Sequence, residues 1–430
     1  MKLIENLNEQ EYEKFCKEHL EISHFLHSYT WGKFQEKENN VKAYYIGYAN
    51  DKGKLVAVSL LLKKKLVMGY SYFYAPRGYV IDYSNRELLK EFTEALKIFA
   101  KKEKAIFIKI DPDYKLHDLD IKGNVIENNN NHEDLVSYLK ELGYRHYGFT
   151  KNFETSQPRY TFRLSLKPTI EEITNNFHST TKKIINKGNP YNLKLIKNDI
   201  STMDMFIKTM NDTADREKII NHSFDYYKDY YECLHKKNMS DLYVVYVDID
   251  NLKKIYKKKI TDLEESINNL NDSKHTNVKK NQNKINEYNN QLIKANKEYE
   301  ELSKIKEKKY TLSAILTAKY GNKVWTLHGG NSTLLRELNA NYFIYYEIIK
   351  DAKLENYDVI DFFGTTGNPV KENPVYGIHL FKERLGGEYT EFIGEFDLVT
   401  NKFMYFLYKT LIPIRHKLQR LKYQKKKNNN

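Results

Sequence analysis

A chain of 430 residues with 40% hydrophobic content is long enough for two or three domains with their own cores. Its 14% aromatic content excludes global disorder, and no stretch approaches the roughly 20 apolar residues of a membrane span. The net charge of +13 favours a polyanionic partner such as RNA, an anionic membrane or a pyrophosphate, although an AT-rich genome that inflates lysine would produce a similar excess.

The beginning of the chain does not have the pattern of a secretory signal. Charged residues interrupt every apolar run between Met1 and Cys16. The chain contains only two cysteines, Cys16 and Cys233, which cannot form a disulfide framework. These features predict a cytoplasmic protein.

The N-terminal third predicts a β-hairpin followed by a strand–helix–strand unit. In chain order, the predicted elements are strands 41–48, 54–62 and 70–75, helix 85–102 and strand 105–110. The third strand ends in Arg77 and Gly78, and the last strand ends at Asp111-Pro112. Polar residues at the ends of neighbouring strands are typical of ligand sites in α/β folds.

The second half repeats this order without strong sequence identity. Its predicted elements are strands 241–248, 310–319 and 323–327, helix 341–354 and strand 357–363. A turn is expected at Gly329-Gly330, and a loop is expected from Tyr376 to Lys382, ahead of Gly386-Gly387. The repetition predicts two copies of one mixed α/β unit.

Two segments with heptad periodicity interrupt the second hairpin between residues 249 and 309. Apolar residues recur there at intervals of three and four, and a polar turn is expected near 272–277. The pattern predicts an antiparallel coiled-coil arm about 35–40 Å long. Its 15 lysines against 9 acidic residues over 251–309 are compatible with an RNA contact, while a spacer or a dimer contact would explain the arm equally well.

Motifs along nearly the whole chain, from about His27 to Tyr408, resemble those of the FemABX family of tRNA-dependent aminoacyltransferases, which build peptidoglycan cross-bridges. The motifs are Trp31-Gly32, Tyr74-Ala75-Pro76-Arg77-Gly78, Lys109-Ile110-Asp111-Pro112, Gln157-Pro158-Arg159-Tyr160-Thr161-Phe162, and the string from Leu327 to Asp397. The arm makes the chain similar to the FemA and FemB branch of this family.

The resemblance implies an α/β (α+β) fold of tandem GNAT-like domains with mixed sheets and an inserted two-helix arm. The first domain would comprise residues 1–153, completed by 397–430, and the second would comprise 154–396, with the arm at 249–309. The acyl-CoA pyrophosphate loop of true acetyltransferases is not recognisable in the sequence. That argues against acetyl-CoA as the donor.

The same resemblance implies an amine of a muramoyl peptide attacking the ester of aminoacyl-tRNA, with no cofactor and no metal. Lys382, preceded by Phe381, matches a family lysine that stabilises charge on the reacting carbonyl; the alternative is an ordinary surface lysine. Asp111 matches an aspartate near the acceptor amine, and a structural Asp-Pro cap is the competing interpretation.

Further residues are implied in substrate binding. Arg216 matches an arginine that grips the pyrophosphate of the precursor, with a salt bridge to a neighbouring aspartate as the alternative. Arg77 could bind the precursor or form a buried ion pair. The remaining candidates for substrate binding are Trp31, Tyr74, Gly78, His328, Gly329, Gly330, Tyr376 and Gly377.

The sequence departs from the family pattern at three places. Gln35 stands where related sequences often have a lysine that contacts phosphate, and His328 stands where they often have tyrosine. The basic pattern around Ile184 is also eroded. Two other functions therefore stay open: a GNAT-fold acyltransferase with another donor or acceptor, and a non-catalytic adaptor that binds tRNA or membrane.

The C-terminal segment 403–427 combines apolar residues with an entirely basic set of charges, because no acidic residue follows Asp397. This pattern predicts either packing on the first domain or contact with the anionic inner face of the membrane. The expected partners are thus aminoacyl-tRNA, lipid II or UDP-MurNAc-pentapeptide, and a membrane surface. A homodimer or a complex with a Fem-like partner is also compatible with the sequence.

Overall fold

Each half of the chain builds one mixed β-sheet in a computed structural model that describes residues 1–127, 131–272 and 278–411. The strands are β1 (Lys2–Ile4), β2 (Lys42–Ala49), β3 (Leu55–Lys65), β4 (Ser71–Ala75), β5 (Val80–Ile81), β6 (Ala105–Ile110), β7 (Lys115–Asp118), β8 (Tyr144–His146), β9 (Tyr160–Ser165), β10 (Lys194–Lys197), β11 (Leu242–Asp248), β12 (Lys309–Tyr320), β13 (Lys323–Asn331), β14 (Val359–Thr365), β15 (Glu388–Phe392) and β16 (Phe396–Val399).

The helices lie on the faces of these sheets and in the insertion. They are α1 (Glu9–Glu18), α2 (Tyr29–Asn39), α3 (Arg86–Lys102), α4 (Glu133–Glu141), α5 (Ile170–Asn175), α6 (Ser179–Asn186), α7 (Met203–Glu217), α8 (Phe224–His235), α9 (Ile249–Asp272), α10 (Val278–Ser303), α11 (Ala340–Leu354), α12 (Tyr376–Arg384) and α13 (402–411). No helix within the described ranges is both long enough and apolar enough to cross a bilayer.

The two sheets have the same internal order. The first runs β1-β2-β3-β4-β6-β16-β8, with β5 on β3, and the second runs β10-β11-β12-β13-β14-β9-β15-β7. In each sheet an antiparallel hairpin leads to a strand that pairs in parallel with the next, β4 with β6 and β13 with β14. Helices α3 and α11 supply the crossovers, as parallel neighbours require. The prediction of a duplicated mixed α/β unit is confirmed.

Strand exchange links the two halves. β7 follows β6 in the chain but pairs with β15 at the edge of the second sheet, while β16 returns to lie between β6 and β8 of the first. The halves also share a hydrophobic core in which Phe25 and Trp325 pack with ring centroids 5.1 Å apart. The cleft described below is therefore built on two sheets held together by both backbone pairing and side-chain packing.

Helices α9 and α10 pack against each other between the paired strands β11 and β12. Lys257 Nζ lies 6.0 Å from the ring centroid of Tyr299, so the helices run in opposite directions. Leu252, Tyr256 and Leu302 belong to the core of the second half, which anchors the base of the arm. The predicted turn near 272–277 falls mostly outside the described residues.

The structure corrects two sequence predictions. The turn expected at Gly329-Gly330 is wrong, because β13 continues through both glycines and pairs them with Ile315 and Ala314 of β12. The loop expected from Tyr376 to Lys382 is also wrong, since these residues form α12. Glycine commonly interrupts strands and helices, but β13 is held by its pairing with β12, and α12 ends only before Gly386.

Candidate functional site

A cleft opens where β13 and β14 diverge. The two strands pair only from Lys323–Val359 to Trp325–Asp361, and beyond that point the register of β14 shifts. Adjoining cavities of about 420 and 530 Å³ occupy the gap and share six residues. Those shared residues are Arg216, Asn331, Arg336, Asn341, Gly377 and Phe381. Strand ends at a point of divergence are a usual location for ligands in α/β folds.

Lys382 lies on α12 and lines the smaller cavity. Its Nζ donates hydrogen bonds to the carbonyl oxygens of Phe363 (2.9 Å) and Gly364 (2.6 Å). Burial lowers the pKa of the Lys382 ammonium to about 7, and the Asp361 carboxylate opposes part of that shift. An ammonium has three donors, so two bonds to carbonyls leave one N–H for a ligand in the cleft.

The two carbonyls are presented by an irregularity in β14. Phe363 has a left-handed backbone (φ 61°), an uncommon conformation for a non-glycine residue. Asp361 stabilises it, because its Oδ1 accepts a hydrogen bond of 2.7 Å from the Phe363 amide. The shift in register between Asp361 and Gly364 coincides with this bend, which points the carbonyls at Lys382.

The other predicted residues of this segment lie on the same helix as Lys382. Phe381 packs edge-on against Tyr342 and Tyr345 of α11, with ring centroids 5.1 and 4.9 Å apart. Tyr376 is the first residue of α12, and Gly377 is exposed and borders both cavities. A Cβ added to Gly377 would meet no atom within 4 Å, so a side chain there would point into open space.

Three arginines line the larger cavity. Arg216, in the last turn of α7, donates from Nη1 to the Asn331 carbonyl (3.3 Å) and from Nε to Glu217 (2.9 Å). Its ion pair is thus with Glu217 and not with a neighbouring aspartate, the alternative that the sequence predicts. Arg336 and Arg384 complete the set. The Nε of Arg384 is buried without a hydrogen-bond partner, which leaves a donor for a ligand.

Asp111 lies in a different environment from Lys382. Its carboxylate accepts hydrogen bonds from the Arg77 amide (2.5 Å) and from the Tyr74 hydroxyl (2.8 Å). Burial raises the pKa of Asp111 to about 7, and Arg77 acts in the opposite direction. The cavity beside it measures only about 10 Å³, so the structure does not bring Asp111 into the cleft. Pro158 lies between Asp111 and the cleft. It packs near Gly364, and its carbonyl oxygen accepts a hydrogen bond from the Arg77 guanidinium.

Arg77 and Gly78 form the turn after β4. Arg77 is buried, has a left-handed backbone (φ 59°), and lies 4.7 Å from the centroid of the Phe392 ring. Its Nε has no hydrogen-bond partner. Gly78 (φ 81°) leaves little room for a side chain, because an added Cβ would lie 2.6 Å from the Tyr83 hydroxyl. These features describe a packed turn between the two halves.

The structure places the remaining candidates outside the cleft or in its walls. Trp31 is buried on α2 between Phe25 and Phe34. The ring of His328 faces four aromatic side chains on α8 and the segment before it, and burial lowers its pKa to about 3. Gly329 and Gly330 both line the smaller cavity. Gln35 is buried and bonded to Asn39 (2.9 Å).

Gly330 is required by packing. A Cβ there would lie 2.5 Å from the backbone carbonyl carbon of Thr209 in α7. Because that contact is to backbone, the helix itself would have to move. Gly330 therefore lets α7 approach β13 and brings Arg216 to the rim of the cleft.

Sequence reasoning missed Asp361, Arg336 and Arg384. Asp361 follows an apolar run and carries no motif, and its role depends on the fold bringing α12 beside β14. Arg384 could have been noticed from its position two residues after Lys382. In the part of the chain that the structure describes, no group of three or more His, Cys, Asp or Glu side chains is arranged to hold a metal ion.

Comparisons with known proteins agree over nearly the whole length of the chain. A profile described as "FemAB family" matches residues 7–412. Lipid II:glycine glycyltransferases of Staphylococcus aureus strains MSSA476 and MW2 are each 29% identical over 418 residues, covering 95% of this chain and 95% of theirs. A crystal structure of FemX superposes with a TM-score of 0.73 at 27% identity, covering 95% of this chain and 99% of that one.

Proposed function

Because this chain belongs to the FemAB family, we propose that it transfers an amino acid from aminoacyl-tRNA to the peptide of a lipid-linked peptidoglycan precursor. Its curated relatives are named as glycyltransferases of lipid II, so glycine and lipid II are the first donor and acceptor to test. The observation that carries the proposal is a buried lysine, Lys382, facing a cleft whose wall holds three arginines.

The reaction joins an amine to an ester carbonyl. A C–N bond forms, the carbonyl oxygen takes the negative charge of a tetrahedral intermediate, and the C–O bond to the ribose then breaks. The proton lost by the amine ends on the departing ribose oxygen. In the proposal, the remaining N–H of Lys382 donates to the carbonyl oxygen as its charge develops.

The environment of Lys382 suits that role. Two backbone carbonyls fix the direction of its Nζ, which reduces reorganisation when the intermediate forms. A pKa of about 7 leaves a substantial protonated fraction at neutral pH, and the oxyanion would raise it further. Removing one such donor costs about 10²–10³ in rate in comparable oxyanion sites.

The arginines suit phosphate groups. Guanidinium groups bind phosphate oxygens in a bidentate manner, and Arg384 has a buried donor to offer. Both proposed substrates carry phosphate, as the pyrophosphate of the precursor or the phosphodiester near the tRNA terminus. We assign Arg216, Arg336 and Arg384 to phosphate binding and leave the choice between these sources to competition experiments.

The arm is proposed to contact tRNA. Its base is packed in the core, whereas residues 264–272 and 279–290 of its distal part are mainly exposed. The positive excess belongs to the arm as a whole, with 15 lysines against 9 acidic residues over 251–309. Replacing 260–292 by a short Gly-Ser turn should preserve the fold and raise the KM for aminoacyl-tRNA, with the KM for the precursor unchanged. An unchanged KM for aminoacyl-tRNA would favour a spacer or dimer role.

The transfer assay tests the function as a whole. The full chain is mixed with lipid II, total tRNA, synthetases and single amino acids, with and without RNase, and the product is weighed by mass spectrometry. A gain of one residue that RNase abolishes supports the proposal and names the amino acid. Folded protein that binds charged and uncharged tRNA equally and yields no product would instead indicate an adaptor. Transfer that survives RNase would indicate another donor.

A further inference from the structure

Helix α13 exposes its apolar side to solvent. Tyr405 and Tyr408 face inward and pack on Phe107 of β6, with ring centroids 5.4 and 5.2 Å apart. The outward side carries Phe403, which is 70% exposed, and Phe406, which is 65% exposed. A surface helix ordinarily turns its charged residues outward and its apolar residues inward. Here two phenylalanines and Leu411 stand among the solvent-facing residues, beside Lys402 and Thr410.

A second apolar projection lies beside the start of this helix. The tight turn between β3 and β4 presents Val67, which is 70% exposed, and Met68, which is 83% exposed. Met68 adopts a left-handed backbone (φ 57°), which is unusual for a side chain of its size. The turn is anchored on both sides, because the neighbouring Leu66 and Tyr70 pack onto the same small core as Tyr405.

Exposed lysines surround the two projections. Lys65 precedes the turn and pairs with Ser71, whose amide bonds to the carbonyl of Lys104. The amides of Thr400 and Asn401 bond to the Ile106 carbonyl, which places Lys402 at the same end of the sheet. Lys65, Lys104 and Lys402 are all exposed.

The chain continues from this surface with more positive charge. Residues 412–430 lie outside the described part, and their sequence holds seven lysines and arginines and no acidic residue. A segment of this composition is attracted to a negatively charged surface such as an anionic leaflet. The charge of this segment therefore has the same sign as that of the exposed lysines beside α13.

We propose that the apolar tip at Val67-Met68 and the outer side of α13 form a docking surface for an anionic lipid bilayer. The exposed phenylalanines and Met68 enter the boundary between headgroups and acyl chains, while the lysines contact lipid phosphates. This inference rests on the proposed function in one respect, namely that a lipid-linked acceptor requires the enzyme to work at a membrane. It orients the first sheet, with α13 and the β3–β4 turn, toward the leaflet that would carry the acceptor.

Vesicle co-sedimentation tests this surface without any turnover. The full chain is spun with vesicles of phosphatidylglycerol and phosphatidylcholine, or of phosphatidylcholine alone, free of lipid II and tRNA. We expect binding to the anionic vesicles that weakens with salt. The double variant F403S/F406S should lower the partition coefficient about tenfold or more, because two exposed rings no longer insert. A partition equal to that of the native chain would overturn the proposal.

Ile98 provides the matched control, since it is 71% exposed on α3, a helix on the opposite face of the first sheet. The variant Ile98→Ser should bind within about twofold of the native chain, as its side chain lies away from the surface. The variant Phe406→Trp gives a direct measurement of insertion, because brominated lipids should quench the fluorescence of a tryptophan that enters the bilayer.

Two experimental outcomes would show that something other than a bilayer covers α13. A dimer that F403S/F406S dissociates, with unchanged vesicle binding, would show that a second copy covers α13. A chain truncated after Leu411 could leave the tryptophan of Phe406→Trp more exposed to solvent, while every variant binds vesicles like the native chain. That result would show that the protein's own C-terminal tail covers α13. Either result overturns the proposal, and neither bears on the transfer assay, which measures a different reaction.

Discussion

Replacing Lys382 by methionine should stabilise the protein at neutral pH while removing its activity. Burial lowers the pKa of Lys382 from 10.5 to about 7. Below the unfolded-state value the unfolded chain therefore binds more protons at this site, so the native lysine costs stability that is recovered as pH rises. The cost is about 4 kcal/mol at pH 7 and about 2 kcal/mol at pH 9.

The carbonyls of Phe363 and Gly364 limit the net gain, because methionine cannot donate to them. Losing those two bonds costs about 1 kcal/mol each, which leaves a gain of about 2 kcal/mol at pH 7 and none at pH 9. The carbonyl cost is the same at both pH values. The stability difference between variant and native protein therefore changes by about 2 kcal/mol from pH 7 to pH 9, and this change reports the titration of the lysine alone.

Calorimetric unfolding of Lys382→Met and the native chain at pH 7 and pH 9 measures this change. If the second half unfolds as one unit, the advantage of the variant in Tm should shrink by about 4 °C or more between the two pH values. The exposed Lys228→Met serves as the control and should show no such trend. A Tm difference for Lys382→Met that does not vary with pH would refute the idea that Lys382 is buried with a lowered pKa.

Other predictions concern rate, binding and packing. If protonated Lys382 is required, kcat/KM should fall as pH rises through about 7, and Lys382→Arg should remove that decline in a pH–rate profile. Arg384→Ala and Arg336→Ala should each raise the KM of a phosphate-bearing substrate about tenfold with little change in kcat; unchanged KM values would exclude the arginine wall. Gly330→Ala should cost about 2 kcal/mol or more of unfolding free energy because its Cβ meets helix backbone, whereas Gly377→Ala should cost nothing, and equal melting temperatures would contradict the packing argument.

Patterns of apolar residues predicted most of the fold because both sheets repeat strands and helices with regular periodicity. Glycines caused the main errors. Gly330 was read as a turn, yet its lack of a side chain serves the close contact between α7 and β13. Gly377 contributed to the prediction of a loop, although α12 passes through it. A glycine in a sequence signals a need for space or for an unusual backbone, and only tertiary packing decides between them.

The family motifs point to part of the candidate site, whereas the residues that support it carry no signal in the sequence. Lys382 and Arg216 were found because they match family motifs, and both line the cleft. Asp111 was expected beside them, but it bonds to Arg77 and Tyr74 behind Pro158 instead. The position of Asp111 relative to Pro158 depends on how the two sheets pack against each other. That packing is determined by residues throughout the chain.

The same contacts that join the two halves also set the charge at Lys382. Burial alone would raise the pKa of Asp113, which follows β6, but Arg163 holds it well below its usual range. Arg163 binds Asp113 through Nη2 (2.6 Å) and Asp361 through Nε (2.8 Å). Asp361 in turn bends Phe363 and favours the charged form of Lys382. Since one guanidinium satisfies both aspartates, any loosening of the interface would free Asp361 to pair with Lys382 and raise the pKa of that lysine. The protonation of Lys382 is therefore coupled to the packing of the two sheets.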